Sequence, residues 1–266
     1  MERQPTLLSA KQNLTGFHLK WIGIILMVMD HLHQMFILQG VPVWFNWLGR
    51  PVAPIFIFLC AEGFFYTHSK KRYMLQLFIG YWGMAIISLV LTKALPLEEI
   101  PLTNNIFGTL LVSTLYMQLV DMLRKGSGAS VGKKILYILG MIGMIAMNVL
   151  PLLLQGYLPW QLIVGLLLFI PSPISVEGGI FLVVLAVLFY IFRDHRLLQI
   201  LGLILVSVFT FFTMEGMQWL MVFAAIPILF YGGQRGKGSK YFFYIFYPAH
   251  VYLFYIIAFC LMYFGV

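Results

Sequence analysis

The segment LKWIGIILMVMDHLHQMFIL, residues 19–38, combines the two features that decide the fold. It is apolar for long enough to cross a bilayer, because about 20 residues at about 1.5 Å each span the hydrocarbon core. It also carries Asp30, His31 and His33, which are costly to place in lipid. A helix with these side chains requires other helices around it, and intramembrane ionisable groups point to a functional site.

Apolar segments of similar length recur along the whole chain. The protein has 266 residues, is 61% hydrophobic and only 10% charged, and has a mean hydropathy of +0.93, far above the needs of a soluble core. This composition predicts an all-α fold, a polytopic transmembrane helix bundle that forms a single domain over residues 1–266. The predicted spans are 18–39, 48–67, 73–93, 105–123, 134–153, 177–192, 197–213, 217–231 and 243–263.

The net charge of +8 is concentrated in short segments between these spans, so we interpret it as a determinant of topology and not as a nucleic-acid surface. The basic segments are Arg3 to Lys20, 68–73, 124–134, 193–196 and 232–240. With the N-terminus inside, all five fall inside and LEEIPL (97–102) falls outside, provided that 154–192 crosses only once. The short segment 157–170 is therefore predicted to be re-entrant or to lie on the outer surface. The alternative has ten crossings and leaves two basic segments outside.

This topology divides the polar residues of the spans between the two halves of the bilayer. The outer half receives Asp30, His31, His33, Arg50, Asn105, Glu177 and Glu215, and the inner half receives Glu62 and His250. Structural interpretations remain open for each of them. Asp30 and His31 can form an ion pair, Arg50 can extend to the interface, and Glu62 and His250 can be hydrogen-bonded residues of the core.

A histidine beside a carboxylate can act as a general base, which suits the attack of an amine or a hydroxyl on an acyl group. An arginine or asparagine nearby can stabilise the oxyanion that develops. The inner basic segments can hold the phosphates of an acyl-CoA, and the residues considered for this are Lys70, Lys71 and Arg72. No phosphate loop, zinc motif or serine elbow occurs, so no metal is expected. A proton-coupled transporter uses the same buried groups and stays open as an alternative.

Five motifs in order resemble the TraX family of conjugal-transfer pilin acetylases, within the transmembrane acyltransferase superfamily. The resemblance covers most of the chain. It rests on LKWIGIILMVMDHL (19–32), LGRPVAPIFIFLCAEGFFYTHSKKRYMLQL (48–77), NIFGTL (105–110), VEGGIFLVVLAVLFYIFR (176–193) and KYFFYIFYPAH (240–250). Segment 154–175 departs from simpler members as an insertion, and Glu177 stands where an aspartate is usual.

The resemblance implies acetyl transfer from acetyl-CoA, as N- or O-acetylation, to an acceptor presented across a bacterial cytoplasmic membrane. His31 is then the base, oriented by Asp30, and Arg50 and Asn105 are the polar stabilisers. Glu62 and His250 would line the donor tunnel or the proton exit. The acceptor stays open between a peptide amine, a glycan and a lipid head group. A non-enzymatic assembly factor is a further alternative, but it leaves the buried charges without a purpose.

Overall fold

The computed structural model describes residues 13–124, 128–153, 156–157, 159–238 and 240–265, and in these ranges the regular elements are all helices. The prediction of an all-α membrane helix bundle is confirmed. The part of the topology prediction that rests on Arg3 and Lys11 lies outside the described residues. The elements are α1 (Gly16–Met35), α2 (Trp44–Gly49), α3 (Val52–Tyr66), α4 (Lys70–Ala94), α5 (Ile106–Leu123), α6 (Val131–Leu153), α7 (Trp160–Phe169), α8 (Gly179–Ile191), α9 (Arg196–Thr213), the 3-10 helix Gln218–Ala224, α10 (Ala225–Leu229) and α11 (Lys240–Phe264).

Six helical segments in the described ranges are long and apolar enough to cross a membrane. They are Trp44–Tyr66, Lys70–Ala94, Ile106–Leu123, Val131–Leu150, Arg196–Thr213 and Phe242–Phe264. Two shorter apolar helices, Gly179–Ile191 and Gln218–Leu229, correspond to two further predicted spans. Helix α1 has 20 residues, but its polar side chains make it less apolar than these six. Helix α7 has ten residues, about 15 Å, too short to cross the bilayer alone.

The chain divides into two compact units, each described separately below. The first contains residues up to Leu59, 97–100 and Asp194–Val266, and the second contains Cys60–Pro96 and 101–193. In the first unit α1 packs against α2 and α11, and α9 packs against the 3-10 helix and α10. In the second unit α5 packs against α4, α6 and α8. The prediction of a single domain over the whole chain stays a prediction.

The beginning of α1 is held by its own cap and by the loop that precedes α11. The Thr15 hydroxyl accepts from the His18 backbone N–H, and the Thr15 N–H donates to His18 Nδ1, a reciprocal capping box. The backbone N–H of Gly16 donates to the Gln234 carbonyl at 2.8 Å, and that of Phe17 donates to the Arg235 carbonyl at 3.1 Å. The basic loop 232–238 therefore lies at the same end of the first unit as the start of α1, as the topology prediction requires.

The second unit also has one basic end. Lys70 at the start of α4 contacts Asp121 near the end of α5, and Arg193 after α8 donates to the Tyr190 carbonyl beside them. Residues 70, 124 and 193 thus share an end of this unit, which agrees with a single crossing of segment 154–192. At the other end of α5, Gly108 and Gly80 allow close packing on α4. A Cβ at Gly108 would lie 2.8 Å from the Tyr81 ring, and one at Gly80 3.0 Å from Phe107.

Cysteine labelling in intact cells tests this topology after Cys60 and Cys260 are replaced by alanine. Single cysteines at Lys71, Lys133 and Arg235 should react only when a reagent reaches the cytoplasm, because basic segments stay inside. A cysteine at Glu98 should react with an impermeant reagent from outside and serves as the control. If Lys133→Cys and Arg235→Cys are labelled from opposite sides, the nine-crossing arrangement is wrong.

Candidate functional site

His31 in α1 and His250 in α11 form a buried pair in the first unit. Only 4% of the His31 surface and 5% of the His250 surface are exposed. His31 Nδ1 lies 2.7 Å from His250 Nε2, within hydrogen-bond distance. The rings of Phe246 and Phe254 pack on His250, and Tyr247 lies beside His31. The pair is therefore held in an aromatic environment that limits the access of water.

The hydrogen bonds of His250 determine which nitrogen of His31 carries a proton. His250 Nδ1 lies 2.7 Å from the Phe246 carbonyl oxygen, and because a carbonyl only accepts, this nitrogen must donate. In a neutral ring Nε2 is then an acceptor, so His31 Nδ1 is the donor of the bond between the two rings. Neutral His31 consequently keeps its lone pair on Nε2. This is the tautomer that can accept a proton from a substrate.

Asp30, the preceding residue of α1, interacts with a different set of side chains. Asn46 of α2 donates to Asp30 Oδ1 at 2.8 Å, and Arg50 Nη2 lies 4.0 Å from the same oxygen. Asp30 was predicted to orient His31. Consecutive residues of a helix point about 100° apart, and the hydrogen bonds described here connect Asp30 to α2 and His31 to α11. The orienting role of Asp30 stays a prediction, and His250 is a hydrogen-bond partner of His31 in this geometry.

Arg50 follows α2 and reaches both Asp30 and the 3-10 helix. Its Nη1 donates to Gln218 Oε1 at 3.2 Å. Its Nε is buried and has no hydrogen-bond partner among the described residues. A buried N–H donor is costly to leave unsatisfied, so this nitrogen favours an acceptor oxygen near it. The predicted role of Arg50 as an oxyanion stabiliser stays a prediction.

Gly49 allows α2 to approach α1 at this point. A Cβ at Gly49 would lie 2.3 Å from the Asp30 Cβ and 2.4 Å from its Cγ, distances that real contacts do not reach. The Gly-Arg dipeptide singled out in the sequence therefore has two separate functions. Gly49 brings α2 against Asp30, and Arg50 then places its guanidinium beside that carboxylate.

His33 stabilises the end of α1 and points to a different partner. Its Nδ1 donates to the Val41 carbonyl at 2.9 Å, which connects the helix to the loop that leads into α2. Because positions two apart on a helix do not face the same way, His33 was not expected beside His31. Its hydrogen bond is typical of a structural residue.

Asn105 lies in the second unit, where it precedes α5. Its backbone N–H donates to Glu177 Oε2 at 2.9 Å, and its side-chain Nδ2 donates to the Tyr81 carbonyl at 3.0 Å. Thr109 of α5 donates to the Glu177 carbonyl at 2.6 Å. Glu177 is thus bonded at the N-terminal end of α5, where a carboxylate is favourable. These bonds connect α4, α5 and the turn before α8, and the predicted stabilising role of Asn105 in catalysis stays a prediction.

Four of the predicted donor-binding residues lie in the second unit and differ in their burial and contacts. Glu62 in α3 is buried, with 6% of its surface exposed. Lys70 contacts Asp121 Oδ2 and donates to the Tyr190 hydroxyl at 3.3 Å, whereas Lys71 and Arg72 are exposed on α4. The described ranges contain no group of three or more His, Cys, Asp or Glu side chains arranged to hold a metal. The expectations for donor and metal stay predictions.

Several polar residues of these sites were not singled out in the sequence. Asn46 and Gln218 complete the group around Arg50, and Asp121 and Tyr190 complete the group around Lys70. Asp121 near the end of an apolar helix is the one residue that its charge and position could have indicated. Asn46, Gln218 and Tyr190 carry no charge, and their partners are distant in sequence.

The sequence of the chain also matches a known protein family. The model described as TraX protein matches residues 15–258. The chain belongs to the TraX family. A curated relative of this TraX-family chain is the "Probable fimbrial assembly protein FimC, serogroup H1" of Dichelobacter nodosus, with 27% identity over 92% of this chain and 96% of the relative. No solved structure matches the chain. The family predicted from the five motifs is confirmed.

Gly49→Ala tests the close approach of α2 to Asp30. The added methyl group should separate α2 from α1 and lower the free energy of unfolding by about 1–3 kcal/mol, the usual range for overpacking. Thermal unfolding of the purified protein in detergent measures the change. Gly83→Ala in α4 is the matched control, since its Cβ would meet nothing within 4 Å. Equal melting temperatures for the two variants would contradict the packing described here.

Proposed function

We propose that this TraX-family protein is a membrane-embedded acetyltransferase that moves an acetyl group from acetyl-CoA to an amine or hydroxyl acceptor. The observation that carries the proposal is the buried His31–His250 pair, in which the lone pair of neutral His31 lies on Nε2. Membership of the TraX family supports the same chemistry. The membrane is taken to be the cytoplasmic membrane of a bacterium, with the N-terminus inside and no nucleic-acid partner.

In the proposed reaction His31 Nε2 takes the proton from the acceptor N–H or O–H as the acceptor attacks the acetyl carbonyl. Arg50 stabilises the negative charge that develops on the carbonyl oxygen. The carbon–sulfur bond then breaks, and the protonated His31 returns its proton to the departing CoA thiolate. Protons balance, because the one removed from the acceptor leaves on CoA, and neither a metal nor an oxidant is needed.

His250 acts on this reaction through His31. It holds His31 in the productive tautomer, and its Nε2 accepts a stronger hydrogen bond when His31 becomes imidazolium. Little water reaches the pair, so an imidazolium there would lose the stabilisation that water gives to a charge. The hydrogen bond to His250 Nε2 replaces part of that stabilisation. His250 is therefore a positioning residue in this proposal, and Asp30 contributes through the arrangement of Arg50.

The name of the relative suggests a class of acceptor. That protein is named for fimbrial assembly, and fimbriae are polymers of pilin, so we propose a pilin polypeptide amine as the first acceptor to test. A glycan and a lipid head group remain as the other acceptors. The transporter alternative uses the same His–His pair as a proton relay, and an assembly factor needs no turnover at all.

Incubation of the purified protein with radiolabelled acetyl-CoA and a membrane or pilus extract separates these functions. Transfer of label to a polypeptide supports the proposed enzyme and its acceptor, and transfer to lipid or glycan changes the acceptor only. Proton-coupled flux in liposomes without label transfer would favour the transporter. Normal fimbrial assembly in cells by a protein that transfers no label would favour the assembly factor.

Substitutions of the two histidines test the mechanism. His31→Ala should reduce kcat by about 10²–10⁴-fold, because a general base contributes in that range. His250→Leu should also impair kcat, with a smaller change in KM for acetyl-CoA. His250→Gln should recover part of the loss, since its amide oxygen can accept from His31 Nδ1.

His33→Ala is the control, and it should keep turnover even if its melting temperature falls. Thermal unfolding and steady-state kinetics are measured on the same four purified variants. Full turnover in His31→Ala would remove this histidine from the mechanism. Equal activities of His250→Gln and His250→Leu would contradict the tautomer role of His250.

A further inference from the structure

A cluster of charged side chains surrounds Tyr190 at the basic end of the second unit. We call it the Tyr190 cluster, and its members are Lys70, Asp121, Arg124, Tyr190 and Arg193. They come from the start of α4, the end of α5 and the end of α8.

The centre of the cluster is a set of short contacts around a single carboxylate. The Tyr190 hydroxyl donates to Asp121 Oδ2 at 2.7 Å, and Lys70 contacts the same oxygen. Tyr190 is 1% exposed, so its hydroxyl forms a fixed internal support. Arg124 Nη1 lies 4.0 Å from Asp121 Oδ1, at the edge of ion-pair distance. Lys70 is thus directly neutralised, and Arg124 is held less tightly.

The arginines lie with their guanidinium groups over aromatic rings. The Arg193 guanidinium carbon is 4.0 Å from the Phe65 ring centre, and that of Arg124 is 5.8 Å from the Tyr190 ring centre. Stacking uses the face of a guanidinium, and its N–H donors lie along the edge. Such an arrangement fixes the planar fork that binds phosphate oxygens in pairs.

The Tyr190 cluster is rich in positive charge. Lys70, Arg124 and Arg193 are cations, and Asp121 is the carboxylate at the centre of the cluster. The side chains are partly buried, with 30% of Lys70 and 39% of Arg124 exposed, so their repulsion is less screened than on an open surface. Cations gathered in this way favour an anionic ligand such as a phosphate group.

We propose that the Tyr190 cluster binds the phosphate groups of the acetyl-CoA donor, with Arg124 and Arg193 as the phosphate ligands. This inference rests on the proposed acetyltransferase function and identifies its donor site. Lys70, Asp121 and Tyr190 form the support that positions the two arginines. The inference differs from the sequence-based expectation, which assigned the phosphates to Lys70, Lys71 and Arg72.

Phosphate groups occur both in acetyl-CoA and in anionic lipid head groups. The exposed aromatic residues near the arginines favour acetyl-CoA as the ligand. Phe65 is 37% exposed and Tyr66 is 60% exposed at the end of α3, and the Phe65 ring contacts Arg193. An aromatic face beside arginines can stack on an adenine base while the guanidinium groups bind its phosphates. A lipid head group has no base that would use these rings.

Calorimetric binding of CoA and of 3′-dephospho-CoA to the purified protein tests the proposal, together with KM for acetyl-CoA. The double variant Arg124→Gln/Arg193→Gln should raise the CoA dissociation constant about tenfold to a hundredfold, as expected from the loss of hydrogen bonds to a charged group. Its preference for CoA over 3′-dephospho-CoA should fall, and kcat should change less than KM.

Two further variants separate the ligand role from general effects. Arg124→Lys/Arg193→Lys keeps the charges without the planar fork, so it should fold as the wild type does and show an intermediate dissociation constant. Lys133→Gln removes an exposed charge on α6 outside the cluster and is the control for net charge. An unchanged CoA dissociation constant in the folded lysine variant and a wild-type salt dependence would overturn the proposal.

Three other outcomes distinguish the site from the proposed function. If Lys71→Ala/Arg72→Ala weakens CoA binding more than the arginine variants do, the phosphates bind at the exposed face of α4 and the Tyr190 cluster is not their site. If the arginine variants lose only co-purifying phosphatidylglycerol, measured by native mass spectrometry, the cluster binds lipid. If arginine-dependent CoA binding occurs without acetyl transfer, the donor site stands and the acetyltransferase function fails.

Discussion

The hydrogen bond between His31 and His250 is the interaction on which the remainder of the proposed site depends. Lipid offers no partner to a polar side chain, so the polar groups on α1 must find partners elsewhere in the protein. His31 finds its partner on α11, and Asp30 finds its partner on α2. A carboxylate at the centre of a transmembrane helix costs about 2.5–3.5 kcal/mol to insert, and Asn46 and Arg50 offset this cost.

The need for polar partners also explains the importance of Gly49 and of the loop at residues 234–235. Polar groups on neighbouring helices reach one another only when the backbones approach closely, and Gly49 permits this for α1 and α2. At the opposite end of α1, backbone hydrogen bonds to the loop at residues 234–235 fix the position of the helix along its axis. Capping and loop contacts at one end and side-chain contacts at the other therefore define where His31 lies.

The sequence predicted the helical fold and the family, because apolar length and five motifs are local properties that need no tertiary information. It also selected His31, Asp30, Arg50 and His250, because ionisable groups stand out in apolar segments. It did not predict which of them pair. Partners such as His31 and His250 are far apart in the chain, and helix rotation decides whether adjacent residues such as Asp30 and His31 share a partner. Uncharged partners such as Gln218 carry no distinguishing pattern, so only the folded chain identifies them.

The pairing of α1 with α11 also has a consequence for biosynthesis. His31 and His250 are 219 residues apart, so at about 5–20 residues per second the ribosome needs about 10–45 s to supply the partner of a helix already made. During that interval α1 carries His31 without α11 to receive it. A chain that stops before α11 lacks His250 and cannot form the hydrogen bond to His31 Nδ1. In the proposed mechanism His31 becomes a competent base only after α11 has been made, so the order of synthesis itself would keep a half-made chain from acting as an unselective catalyst.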